Sequence, residues 1–316
     1  MGRKFIIDTD TAGDDTSAIL TALHYFDVKG VTMVSGNIDF DQQVENALYT
    51  IEMSNPDAYV PVFKGHRDPI MTLEGSKHYT EERIFASDGM GDSNFPQAKQ
   101  RPEEQHAVDF MIETIHANPG EIEILAIGPQ TNIAMAIKRD SSIVDKIKHL
   151  WIMGGVNHAP GNIEAVAEFN FVTDPEAAKI VLHSGIEMTM VPWDICLNYA
   201  VLFDEDLEEI AELHTKGTKF FFDVNLHVKE FEAKKRNLDA VTCPDSVTAI
   251  IAANQELMTA SGFYYVDIEL GSSLLRGYNI VDIEGDLEKT PNVRVCEAVN
   301  TEGFKETLKE VLGAIN

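Results

Sequence analysis

Cysteine is scarce in this chain. Its three cysteines, Cys196, Cys243 and Cys296, lie far apart in 316 residues. That spacing excludes a CxxC metal or redox motif and argues against a disulfide framework. Positive charge is scarce too: 25 Lys+Arg face 52 Asp+Glu, a formal net charge of −27. Nucleic acid and anionic membrane surfaces both need positive patches, so neither is expected as a partner. A solvated surface explains such a charge, and a metal cation or an uncharged substrate stays compatible with it. No window of about 18 apolar residues occurs, so no spanning helix is expected. The opening "MGRKFIIDTD" enters a strand pattern with no apolar stretch before a cleavage site. A cytoplasmic location is the resulting expectation. Repeats, low-complexity segments and Pro/Ser-rich linkers are also lacking, which favours one domain over 1–316.

Hydrophobic residues make up 44% of the chain, enough for a sizeable core. Aliphatic runs at 4–8, 30–36, 58–65, 121–128, 149–155 and 186–194 read as strands. Amphipathic segments at 15–26, 40–54, 103–117, 130–138 and 174–184 separate them. The alternation predicts an α/β fold, a mainly parallel, doubly wound open sheet with helices on both faces. Two helices over 204–237 suggest a small helical cap within 204–240. Strands near 263–270 and 292–299 and a helix over 301–315 complete the reading. In such sheets ligands bind beyond the carboxyl ends of the strands. Asp8, Asp10, Asn37, Ile127, Gly154 and Asp194 fall at or just past those ends.

The stretch "FIIDTDTAGDDTSAIL" gathers Asp8, Asp10, Asp14 and Asp15 where a strand turns into a helix. Asp14 and Asp15 fit the first turn of a helix, where unsatisfied N–H groups favour negative charge. That leaves Asp8 and Asp10 unexplained. Packed carboxylates need a cation or protonation at a raised pKa. An oxygen-only cluster suits a hard cation, Ca²⁺ or Mg²⁺. The alternative is a capped, solvated turn.

"DTDTAGDDTSAIL" resembles the N-terminal signature of the nucleoside hydrolases, the inosine–uridine-preferring ribohydrolases. "VSGN" (34–37), "SDGMGD" (87–92), "GPQTNIAMAI" (128–137) and "IMGGVNHAPGNIEAVAEFNFVTDPEAA" (152–178) extend the resemblance in order. It runs from about residue 4 to 195 and resumes at Asp245. The resemblance implies a calcium-dependent N-ribohydrolase that releases ribose and free base from ribonucleosides, working as a homodimer or homotetramer. It implies a Ca²⁺ cage of Asp10, Asp15, Asp245 and the Ile127 carbonyl, with Asp10 also accepting the proton of the attacking water. Asp14, Asn37, Asn162, Glu168 and Asn170 would bind ribose. Read alone, Asn37 and Asn162 also fit turns after glycine, Glu168 and Asn170 a loop surface, and Asp245 an N-cap.

The sequence departs from the family pattern at Thr11 and Thr16, both mild changes, and at two positions that bear on the leaving base. Phe85 stands where many members carry His before the Gly-rich loop. Pro244 stands where many carry the His that protonates the departing base. His227 and Phe231, four apart on one helix face, are candidates to protonate and stack on the base; Phe85 is a second stacking candidate. Cys243 is a third candidate acid, or else a small buried hydrophobe. Asp194 has no assigned role, and purine or pyrimidine preference does not follow. A strand ending in D-x-D-T also resembles the haloacid dehalogenase phosphatases, whose first Asp attacks phosphorus beside Mg²⁺; "AEFNFVTDPEAA" and the low positive charge speak against it. A calcium-dependent ribose or nucleoside binder without turnover is the non-enzyme alternative.

Overall fold

The structure is a computed structural model that describes residues 2–55, 59–72 and 82–316. Residue 58, the first of the expected third strand, lies outside the described residues. The strands are β1 (Lys4–Thr9), β2 (Asp27–Met33), β3 (Val62–Lys64), β4 (Ile122–Ala126), β5 (Ile147–Met153), β6 (Met188–Val191), β7 (Val201–Leu202), β8 (Val241–Thr242), β9 (Met258–Ile268), β10 (Asn279–Asp282) and β11 (Val293–Val299). Nine of them form one sheet in the order β10-β9-β11-β6-β5-β4-β1-β2-β3, and β7 pairs with β8. Every pairing from β11 to β3 is parallel; β9 runs antiparallel to both β11 and β10. The expected mainly parallel sheet is therefore present. The four-residue β10 went unanticipated, being too short to show a period.

The helices are α1 (Asp15–Tyr25), α2 (Phe40–Ser54), α3 (Glu82–Phe85), α4 (Ala107–Ala117), α5 (Thr131–Arg139), α6 (Phe169–Thr173), α7 (Pro175–Leu182), α8 (Trp193–Tyr199), α9 (Asp204–Ala211), α10 (Lys216–Arg236), α11 (Pro244–Ala253) and α12 (Thr301–Gly313). They cover both faces of the sheet, which makes the central strands apolar on both sides. Along β1, Phe5 and Ile7 enter one core and Ile6 the other. In β5, Trp151 and Met153 alternate in the same way with Leu150 and Ile152. Among the described residues no helix is long and apolar enough to cross a membrane.

Two features of this layout position the site. First, β1 sits between β2 and β4. The chain lays β2 and β3 outward on one side of β1, then returns to place β4 on the other. This reversal opens a crevice beyond the carboxyl ends of β1 and β4. Second, α10 packs against α3, β8 and α12. Its start is fixed by Thr215, whose Oγ1 accepts from Thr218 N at 3.1 Å. Its end carries Lys234, Lys235 and Arg236 and stops at Asn237, in the left-handed region at φ 55°.

Candidate active site

One pocket is lined by residues from the ends of β1, β4 and β5 and from α6, α8, α10 and α11. Of the expected site residues it contains Asp10, Asp14, Asn37, Phe85, Ile127, Asn162, Glu168, Asn170 and Asp245, with Pro244 beside them. Asp15 lies behind that lining, with one of its carboxylate oxygens within 4.8 Å of one oxygen from each of Asp14 and Asp245. The residues that meet here are up to 235 positions apart in the chain, from Asp10 to Asp245.

The carboxylates are held by local backbone geometry. Asp10 follows β1, and its Oδ2 accepts from Asn37 N at 3.0 Å. Its Oδ1 is buried and makes no hydrogen bond. The space around it is reserved: a Cβ on Gly36 would sit 1.9 Å from Asp10 Oδ2, and one on Gly128 would sit 2.7 Å from Oδ1. Any side chain at either glycine would displace the carboxylate. Asp15 is bound more fully. Its Oδ1 accepts from Thr9 Oγ1 at 2.5 Å, and its Oδ2 from Ala12 N at 3.1 Å and Asn37 Nδ2 at 3.2 Å. Asp14 occupies the N-cap position of α1 without capping it. Its Oδ2 instead accepts from Asp245 N at 2.9 Å, across to the first turn of α11. Two helix N-termini therefore face each other over the same acids, and their unpaired N–H groups favour the negative charge there.

That help does not offset the crowding. Burial, with repulsion from Asp15 and Asp14, pushes the Asp10 carboxyl well above its usual range. Burial and neighbouring carboxylates do the same to Asp245. Asp15 is raised to about 8 by burial and by Asp14, and Asp14 to about 6 by burial. Four buried acids with no cationic side chain among their perturbers and an unpartnered oxygen form a donor set of hard oxygen atoms. That set fits a hard divalent cation.

The ribose candidates sit on the next ring. Glu168 is the N-cap of α6, accepting from Asn170 N at 2.9 Å through Oε1 and from Gly155 N at 2.9 Å through Oε2. Burial raises its carboxyl to about 7 against those hydrogen bonds. Asn170 Nδ2 donates to the Ile127 carbonyl at 3.2 Å and to Met153 O at 3.1 Å. A carbonyl has two lone pairs, so Ile127 retains one for a further ligand. Asn162 Oδ1 accepts from Phe169 N at 2.8 Å, folding its loop over the start of α6. Glu168 and Asn170 are buried, not loop surface. Asp245 is inside the first turn of α11, whose N-cap is Cys243, so it is not the cap.

Other expectations are placed elsewhere. Asp8 points away from this group: its Oδ1 accepts from Thr32 Oγ1 at 2.7 Å and Asn132 Nδ2 at 2.9 Å. It ties β1 to β2 and α5, burial raises its carboxyl to about 7, and it is absent from the pocket lining. That removes the nucleophile a phosphatase would need. Asp194 binds the N–H groups of Asn157, His158 and Ala159, each at 2.6 Å, and so anchors the loop after β5. Cys243 is fully buried, and its thiol is raised far above its usual value by burial, Asp14 and Asp245; it behaves as a small hydrophobe. Phe85 lines the pocket and packs on Gly13. His227 and Phe231 do not line it. His227 lies beside Gly91, and Phe231 lies under Lys235 and Arg236. The α10 residues that do line the pocket are Val228, Glu232 and Arg236, one position further along each turn, joined by Trp193 of α8. These were missed. Their only sequence signal is the i, i+4, i+8 spacing, and that spacing cannot say which row of a helix faces inward.

Comparison with known proteins agrees with this fold. The family described as inosine-uridine preferring nucleoside hydrolase matches residues 5–306. The chain is 35% identical over 260 residues to uridine nucleosidase 1 of Arabidopsis thaliana, covering 81% of this chain and 76% of that one. It is 28% identical over 310 residues to a pyrimidine-specific ribonucleoside hydrolase of Escherichia coli (strain SE11), covering 98% and 96%. Its structure is similar to that of a plant nucleoside hydrolase, with a TM-score of 0.91 at 27% identity over 99% of both chains. A purine-preferring ribonucleoside hydrolase from Gardnerella vaginalis gives 0.89 at 27% identity, covering 99% and 98%.

Proposed function

The chain belongs to the inosine–uridine preferring nucleoside hydrolases and hydrolyses the N-glycosidic bond of ribonucleosides; we propose that it does so with a calcium ion held by Asp10, Asp15, Asp245 and the Ile127 carbonyl. One observation carries this reading. The buried carboxylates of Asp14, Asp15 and Asp245 lie within 4.8 Å of one another, beside an Asp10 oxygen that nothing in the protein satisfies. Bound there, a hard cation would orient a water and the cis hydroxyls of ribose and make that water more acidic.

The protein's own residues do the rest. Asp10 Oδ1 takes the proton of the attacking water. Asp14, Asn37, Asn162, Glu168 and Asn170 ring the pocket with groups that accept and donate, as sugar hydroxyls require. Their fixed hydrogen bonds to backbone hold them in place before substrate arrives, which favours a rigidly oriented ribose as positive charge builds on it. Residues 204–240 act as a helical cap of the single domain, closing the pocket through α10. The unpaired cysteines fit a reducing, cytoplasmic setting. Exposed Phe263, Leu274, Leu275, Ile280 and Leu287, on and around the edge formed by β9 and β10, support self-association as a dimer or tetramer.

The test is turnover of uridine, inosine, cytidine and p-nitrophenyl riboside with and without a chelator, followed by return of Ca²⁺ or Mg²⁺. Uridine heads the series because the relative at 35% identity is a uridine nucleosidase. Activity should vanish with the chelator and return best with Ca²⁺. Undiminished turnover in chelator would refute the calcium assignment.

A further inference from the structure

The two oxygens of Asp15 are held differently. Its Oδ2 accepts from two donors, Ala12 N at 3.1 Å and Asn37 Nδ2 at 3.2 Å, which fills both lone pairs of that oxygen. Its Oδ1 accepts from one, Thr9 Oγ1 at 2.5 Å, and keeps a lone pair. Thr9 Oγ1 in turn lies 2.9 Å from Thr11 Oγ1. A carboxylate only accepts, and a hydroxyl has a single proton. The Thr9 proton therefore goes to Asp15, and Thr11 must be the donor to Thr9. The three side chains form one directed chain, Thr11 to Thr9 to Asp15, and all three residues are buried. The far end of that chain is fixed as well. Asn46 of α2 donates through Nδ2 to the Thr11 carbonyl at 3.2 Å and to the Asp88 carbonyl at 2.9 Å, and its own Oδ1 accepts from Gln42 Nε2 at 3.0 Å. Thr11 stands where the family signature carries proline, which has no hydroxyl to donate.

We propose that Thr11 is a positioning residue for the metal: through Thr9 it aims Asp15 Oδ1, the oxygen with a lone pair left, at the cation. This inference rests on the calcium reading above and deepens it. Thr11 does not line the pocket and acts only through Asp15. The second hydroxyl matters for two reasons. A hydroxyl that already accepts a hydrogen bond is the stronger donor to the next group. Without Thr11, the lone pairs of Thr9 would also be left bare in a buried place, and the Thr9 proton would no longer be directed to one side. The bond that orients Oδ1 then weakens, while Ala12 and Asn37 still hold Oδ2. Partners behind metal ligands typically carry about 10–100-fold in metal affinity, which sets the size of the effect.

The experiment titrates the full-length, chelator-stripped protein with Ca²⁺ by calorimetry and records the melting temperature of the stripped protein beside it. The variants are Thr11→Val, Thr11→Ser, Thr9→Val and the double variant Thr9→Val/Thr11→Val. Valine keeps the branched shape and removes the hydroxyl; serine keeps the hydroxyl. Thr11→Val should raise the Kd for Ca²⁺ about tenfold, and Thr11→Ser by less than about threefold. Thr9→Val should raise it about tenfold or more. Adding Thr11→Val to Thr9→Val should then change the Kd by less than about threefold, because the first link is already gone. A merely structural role for Thr11 would lower the melting temperature with the Ca²⁺ affinity unchanged, and the two single costs would add. Should Thr11→Val not fold, Thr11→Ala against Thr11→Ser makes the same comparison. Unchanged affinity on loss of the Thr11 hydroxyl, equal losses in its valine and serine variants, or additive costs in the double variant would each overturn the inference and leave the calcium reading standing. A wild type that binds no Ca²⁺ would overturn both.

Discussion

At one end of the pocket, Asp10 and Asp245, with Asp15 behind them, come from the loop after β1 and from the first turns of α11 and α1. At the other end, Glu232 and Arg236 come from a single face of α10. The first end is built from backbone. Strand ends, helix N-termini and the close approach of Gly36 and Gly128 leave its carboxylates one place to sit. The second is built from side chains on a continuous helix, where a rotation of one residue would exchange Glu232 for Phe231. The comparison also separates two treatments of buried charge. The acids at the strand ends crowd together and are pushed up in pKa, whereas Glu232 is paired within its own helix at i, i+4. The first end fits an external cation; the second carries its own.

Predictions that break or sharpen this contrast begin with the largest effect. Asp10→Ala should abolish turnover, a loss of roughly 10²–10⁴-fold or more, with the circular dichroism unchanged. Retained activity on p-nitrophenyl riboside would show that the backbone-built end is not where water is activated.

Metal removal should come next. Asp15 and Asp14, raised to about 8 and about 6, bind more protons folded than unfolded between about pH 4 and 8. The sign follows from linkage: for raised acids, stability falls as pH rises through that window. The melting temperature of chelated protein should therefore drop from pH 5 to pH 8, and Ca²⁺ should restore it most at pH 8. A chelated protein with a flat profile would contradict the crowding.

A smaller effect tests a buried carboxylate that is well partnered. Burial alone would raise Glu123, yet hydrogen bonds from Arg3, Trp151 and Lys148 hold it at about 2. Its stabilisation is present above about pH 4.5, the ordinary glutamate value, and is lost as pH falls towards 2. Glu123→Gln should cost roughly 1.5–3 kcal/mol at neutral pH by denaturant titration and flatten the acid limb. The smallest effect is expected for His227→Ala. With its side chain outside the pocket lining, nucleoside kcat/KM should change by less than about threefold. A loss of about 10²-fold would return the base-protonating role to this histidine.

Much of the first end was legible because it is made of strand ends and turns. The aliphatic runs located β1, β4 and β5, the acids followed β1 immediately, and the segment 152–178 carried Asn162, Glu168 and Asn170 in order. Less was legible where partners are distant. Asp8 reads like a fourth member of the cluster, but it lies inside β1, where the neighbouring β2 and α5 supply Thr32 and Asn132 as its partners. Asn132 lay inside a quoted segment without a role, since what it holds is 124 residues away. Asp194 fell at a strand end and proved to anchor a loop.

The sequence alone determined the class of chemistry and the layered sheet that carries it, because hydrophobic period and the order of motifs are local properties. It also determined that the usual histidine is absent at Pro244. Which face of α10 lines the pocket was decided only by the packing of that helix on α3, β8 and α12. A helix of 21 residues offers several apolar and charged rows of equal spacing, and only its neighbours choose among them. The bringing of Asp245 to Asp14 was likewise a tertiary outcome: nothing local links the starts of α1 and α11 until the sheet brings them face to face.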